Sequence, residues 1–118
     1  MSTLKNVEYK TEFLRGTRAG NTAKNQVVMI INTKDNHTEI FQSYDSLICK
    51  VDYNKKQIVI SNKWNYSITT LKYFYQFLRE YAGIDSSCKK NIESAFKGRK
   101  IFVDKAQCFF DFILDENL

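Results

Sequence analysis

The chain has 118 residues, 43% of them hydrophobic and 26% charged, a balance that supports one hydrophobic core, is too small for two, and excludes intrinsic disorder. Eighteen basic residues against thirteen acidic ones give a net charge of +5, which permits a polyanionic partner without requiring one. No segment approaches the roughly 18 apolar residues of a membrane span, and the Met1-Ser2-Thr3-Leu4-Lys5 start lacks the apolar stretch of a signal peptide. A cytoplasmic chain folded as a single domain over 1–118, with no membrane contact, is expected.

In residues 6–14, Val7, Tyr9 and Thr11 alternate with Glu8, Lys10 and Glu12, the period-two pattern of a first strand. The run from Arg15 to Thr22 has the glycine and small polar residues of a loop. Residues 26–32 supply Val27-Val28-Met29-Ile30-Ile31, a β-branched run of strand length that reads as a central strand. Asp35-Asn36-His37 makes a turn, and residues 38–44 close a hairpin. Residues 47–53 and 56–61 form a second hairpin around Asn54-Lys55, with Cys49, Val51 and Tyr53 on one face.

After Trp64 the period changes to 3.6. Ile68, Leu71, Phe74, Tyr75, Leu78 and Tyr81 recur at helical spacing, while Lys72, Gln76, Arg79 and Glu80 turn outward. Ser67 is placed to cap this helix and Gly83 to end it, with Ile84 packing back on Leu78. A second helix is expected from Asp85, Ser86 or Ser87 to Gly98, burying Cys88, Ile92, Ala95 and Phe96. Ile101-Phe102-Val103 follows as a short strand or extended link. Residues 106–114 fit both periods and are read as a helix. The expected fold is therefore α+β: a small antiparallel sheet of 4–5 strands with two or three C-terminal helices packed on one face.

Chemistry-bearing residues are sparse. The single histidine, His37, falls in a turn and reads as solvated, with no cysteine near it in sequence. Cys49, Cys88 and Cys108 are too widely spaced for a disulfide framework or a zinc site and read as reduced thiols. Asp52 and Glu39 show no sign of acting as a carboxylate pair, and the four glycines are scattered rather than grouped in a phosphate loop. No catalytic residue, metal or cofactor is assigned, and an enzyme is not expected.

Aromatic density is the unusual feature, with nine Phe, seven Tyr and one Trp. Amphipathic aromatics favour protein interfaces. Tyr44, Tyr53, Trp64, Tyr66 and Tyr73 are expected to be partly exposed, Tyr73 most of all because it lies off the helix stripe beside Lys72 and Gln76. A partner-binding patch of Tyr66, Lys72, Tyr73 and Gln76 follows. A basic ridge of Lys89, Lys90, Lys97, Arg99 and Lys100 is a second candidate surface; a lysine-rich composition alone accounts for it equally well.

Residues 41–78 carry Ser43-Tyr44, then Val51-Asp52 before a turn, then Trp64-Asn65-Tyr66-Ser67-Ile68-Thr69-Thr70-Leu71-Lys72, and end in Phe77-Leu78. This pattern resembles small proteins of bacteriophages and mobile elements in low-GC Gram-positive bacteria. Relatives often carry histidine where this chain has Tyr73, so no catalytic role is carried over. Some proteins that look like this block host defence, CRISPR nucleases included, by binding protein surfaces. The resemblance thus implies an anti-CRISPR inhibitor in the bacterial cytoplasm, acting on a Cas effector as monomer or homodimer. Two other readings stay open: a small basic nucleic-acid-binding regulator, and a phage structural or assembly factor.

Overall fold

A computed structural model describes residues 7–16, 22–85, 89–115 and 118. Seven strands and two helices follow one another as β1 (Glu8–Arg15), β2 (Thr22–Asn32), β3 (His37–Ser43), β4 (Ser46–Asp52), β5 (Gln57–Ile60), α1 (Ile68–Phe77), α2 (Lys89–Gly98), β6 (Lys100–Val103) and β7 (Cys108–Leu114). A π-helical turn, Leu78–Ala82, continues α1. The strands form one sheet in the order β1-β2-β3-β4-β5-β7-β6. Every neighbouring pair is antiparallel except β5 and β7, which are parallel. A parallel pair needs a long crossover, and here α1, α2 and β6 lie within it.

This corrects the expected α+β arrangement. The sheet is mixed and seven-stranded, strand outweighs helix at 47% against 24% of the described residues, and both helices precede the last two strands. The main error lies in 106–114, which forms β7. Phe110 and Phe112 face the core while Phe109 and Ile113 face outward. With apolar residues on both faces, the alternation that marks a strand disappears, and a helical period fits equally well.

Register fixes which residues share a face. Ile30, Glu39, Val51, Ile58 and Phe112 form one row across five strands, and the helices cover this side. Phe41 stacks on Phe77 of α1 at 5.6 Å, and Phe96 of α2 meets Phe112 at 4.7 Å. Trp64 lies between the helices, 5.9 Å from Phe74 and 4.7 Å from Phe96. The fully buried Phe41, Phe74, Phe77, Phe110 and Ile92 fill the layer between. Each such ring or branched side chain contributes about 1.5–3 kcal/mol by leaving water.

The helix ends follow the expected chemistry with one change. Ser67 is the N-cap, and its hydroxyl accepts from Thr70 N–H at 3.0 Å. Gly83 has φ 65°, and a Cβ there would meet the Lys105 backbone nitrogen and Cβ at 3.1 Å, so two independent constraints select glycine. Ile84 donates its N–H to the Leu78 carbonyl at 2.9 Å. At the end of α2 the left-handed residue is Arg99, φ 58°, not Gly98. The expected second-helix start at Ser86 or Ser87, the burial of Cys88 and the loop over 17–21 lie outside the described residues.

Candidate functional site

Ser43, Ser67 and Thr70 meet at one joint. Ser43, the last residue of β3, and Thr70, in the first turn of α1, have hydroxyls 2.9 Å apart and are fully buried. The Ser67 hydroxyl donates to Thr70 Oγ1 at 3.1 Å. Three hydroxyls thus satisfy one another and pin the helix entry to the end of a strand, since a buried hydroxyl left unpaired is costly. Around this joint Tyr44, Tyr66 and Ile68 are exposed, Ile68 by 87% although its spacing places it on the buried stripe. As the first residue of the helix, Ile68 precedes the turn over which that stripe meets the sheet.

The four residues of the expected patch have different fates. Tyr66 is exposed, as expected. Tyr73 is buried at 8% exposure, a correction: its ring lies in the core layer, with Lys72 Nζ 5.0 Å from the ring centre. Lys72 is exposed. Gln76 donates to the Arg15 carbonyl at 3.2 Å and to Glu80 at 3.4 Å, which ties α1 to the end of β1. Tyr44 is exposed, whereas Tyr53 and Trp64 are half-buried. Of the basic ridge, Lys90, Lys97, Arg99 and Lys100 are exposed, but Lys100 pairs with Asp111 at 2.6 Å. The side chain of Lys89 lies outside the described residues.

The opposite face of the sheet was not foreseen. Thr11, Met29, Ile40, Lys50, Val59 and Ile113 form one row across six strands, and no described helix covers it. On the same face at one end, Phe102 and Phe109 make an edge-to-face pair at 5.2 Å with exposures of 39% and 62%. At the other end stand Tyr9 and Phe13, 71% and 52% exposed. A sheet with one face in water normally alternates apolar with polar residues. This one keeps an apolar row on its second face, interrupted by Lys50, while the adjacent row on that face, Ile31, Thr38, Asp52, Gln57, Asp111 and Lys100, is mainly polar. The signal lay in 27–31 and 109–114, where apolar runs leave no polar face.

A polar cluster lies at the β2–β3 end of the helix-covered face. Glu39 is 1% exposed. Its carboxylate accepts from the Tyr53 hydroxyl at 2.6 Å and from Lys105 Nζ at 2.7 Å, and His37 Nε2 lies 2.9 Å away. His37 Nδ1 meets the Asn32 side-chain oxygen, and Lys105 also donates to the Tyr81 carbonyl at 2.9 Å. His37 is thus held between Asn32 and Glu39 rather than solvated. Burial, then the hydrogen bond to Glu39, push the Tyr53 hydroxyl pKa well above its ordinary value. Burial foremost, then the Glu39 charge, raises the Cys49 thiol, which keeps it protonated and unreactive.

Outside this cluster, Asn32, Thr33, Asp35, Asn36, His37 and Asn54 line a polar cleft of ≈ 700 Å³. Proton transfer requires a ring nitrogen free to face a reactant, and both nitrogens of His37 are engaged within the fold. The cluster acts as a clamp: Glu39 joins β3, the end of β4, the end of the π turn and the β6–β7 turn. Among the described residues, no group of three His, Cys, Asp or Glu side chains is placed to hold a metal. No described helix is long and apolar enough to cross a membrane.

Residues 10–94 match the Family of unknown function (DUF8033), and since that span covers well over half of the chain, the protein belongs to this family. It contains the Ser43–Thr70 joint, the Glu39 carboxylate, all of α1 and α2 up to Ser94. No curated protein and no solved structure matches the chain.

Proposed function

We propose that the protein is a phage-derived inhibitor that binds a bacterial defence complex, with a Cas effector nuclease as its target, and that it acts by protein–protein binding alone. The observation that carries this reading is the exposed Phe102–Phe109 pair, with Ile113 beside it, on the sheet face that no described helix covers. Exposed aromatics of this kind anchor protein interfaces. The phage-like pattern supplies the class of partner. Its own residues are taken up by the β3–α1 joint, so the binding surface lies on the sheet, with Tyr66 and Lys72 at the margin.

The nucleic-acid reading is weaker, because Lys100 is already paired with Asp111. Purified Cas effectors captured on the immobilised chain test the proposal. Binding is expected for the wild type and lost for Phe109→Asp, with little change on raising salt. Binding that collapses with salt and survives Phe109→Asp supports the phosphate-track alternative instead.

A further inference from the structure

We infer that the outer edge of β1 pairs with β1 of a second copy of this chain, in antiparallel register centred on Thr11, giving a symmetric dimer with one continuous sheet. β1 ends the strand order, and its central segment, Tyr9-Lys10-Thr11-Glu12-Phe13, is self-complementary in that register. Thr11 meets its own copy at the two-fold axis. Lys10 faces the partner's Glu12, and Tyr9 faces the partner's Phe13, each twice. Paired residues share a face of the sheet, as antiparallel pairing demands. Opposite charges and aromatic pairs directly across such a ladder stabilise it.

The neighbouring registers fail on charge. A shift of two residues one way sets Lys10 against Lys10 and Glu8 against Glu12; the other way sets Glu12 against Glu12. Charged residues on an edge strand ordinarily prevent pairing. Here they disfavour the two adjacent registers; a register centred on Tyr9 would set Glu8 against Lys10 and is told apart by Glu12→Lys, which would leave it intact. The ladder of β1 with β2 is regular from Glu8 to Phe13 and shifts only between Phe13 and Arg15, so all three central pairs lie on undistorted strand.

The surface beside this edge fits the same partner. Lys10 and Glu12 are 3.5 Å apart within one chain, with side chains 68% and 36% exposed, so both are available for exchange across the axis. On the helix side, Glu12, Phe13, Leu14, Arg15, Glu80 and Tyr81 line a hollow of ≈ 460 Å³. Two carboxylates at its rim would receive the partner's Lys10. On the other face, the Tyr9–Phe13 pairs would cover the two largest exposed rings of β1.

Sedimentation of the full chain over a range of concentrations tests this. The expected species is twice the 13.9 kDa chain mass. Lys10→Glu and Glu12→Lys, each alone, should weaken dimerisation about tenfold or more, since each places like charges opposite one another at two sites. The double exchange Lys10→Glu/Glu12→Lys should restore it. Thr11→Cys should give a disulfide-linked dimer on mild oxidation, because facing Cα atoms roughly 4.5–5.5 Å apart suit a disulfide, whereas Lys10→Cys should not. Trp64 fluorescence reports the fold of each variant. A chain that sediments as a monomer at every concentration, single exchanges that leave a dimer intact, or a double exchange that fails to restore it would each overturn the inference.

Discussion

Glu39 is a carboxylate with 2% of its side chain exposed, held by a tyrosine, a histidine and a lysine from different parts of the chain. Removing a partner from a buried charge costs more than the bond itself contributes, because the charge remains without compensation. Lys105→Met is therefore expected to lower stability by about 2 kcal/mol, measured as a shift in urea midpoint at constant slope. The half-exposed lysine can find water when Glu39 is the residue changed, so Glu39→Gln should cost less than the lysine change.

The same cluster sets the alkaline limit. The Tyr53 and Tyr81 hydroxyls and the Cys49 thiol all have raised pKa values in the fold, burial being the largest cause for each. A raised acid keeps its proton in the native state after the unfolded chain has released it. Its contribution is complete below the unfolded pKa and is lost as pH rises through the folded one. Stability is expected to fall from about pH 8.5, where an unfolded thiol ionises, and more steeply from about pH 10, where tyrosines do. Tyr53→Phe should reduce the slope above pH 10 by up to about 1.4 kcal/mol per pH unit; an unchanged slope would contradict the assignment.

At the scale of elements, the β3–α1 joint separates stability from binding. Ser67→Ala is expected to cost about 1 kcal/mol through the lost cap, and Tyr73→Ala about 3 kcal/mol through an emptied core site. Tyr66→Ala, at an exposed ring, should leave the melting temperature nearly unchanged. Thermal unfolding of the three variants distinguishes these ranks. Both caps of the first helix, the two hairpins and the short strand at 101–103 were legible in the sequence, because turn residues, capping hydroxyls and a left-handed glycine are local requirements. Tyr73 was misread because helix α1 is narrow and packed on a wide sheet, so its buried arc extends past the stripe marked by Phe74 and Leu78. Glu39 and Lys105, 66 residues apart, carry no local sign of their pairing. The parallel β5–β7 contact that widens the sheet is equally non-local.

For the whole molecule, the described helices lie on one side of a seven-stranded sheet and leave the other side without one. Phe102→Asp and Phe109→Asp alter exposed rings and should change stability little while removing the aromatic pair at the β6 end of the proposed docking face. A β1-paired dimer would set two such faces side by side and bind a symmetric or extended target more tightly than either face alone. The most direct measurement is plasmid interference in bacteria carrying a panel of Cas effectors, with the wild-type chain or Phe102→Asp/Phe109→Asp expressed to equal levels. The wild type should lift interference by at least one effector, and the folded double variant should leave it in force. Interference that stays complete with the wild type across the panel, or that the double variant lifts equally well, would contradict the account.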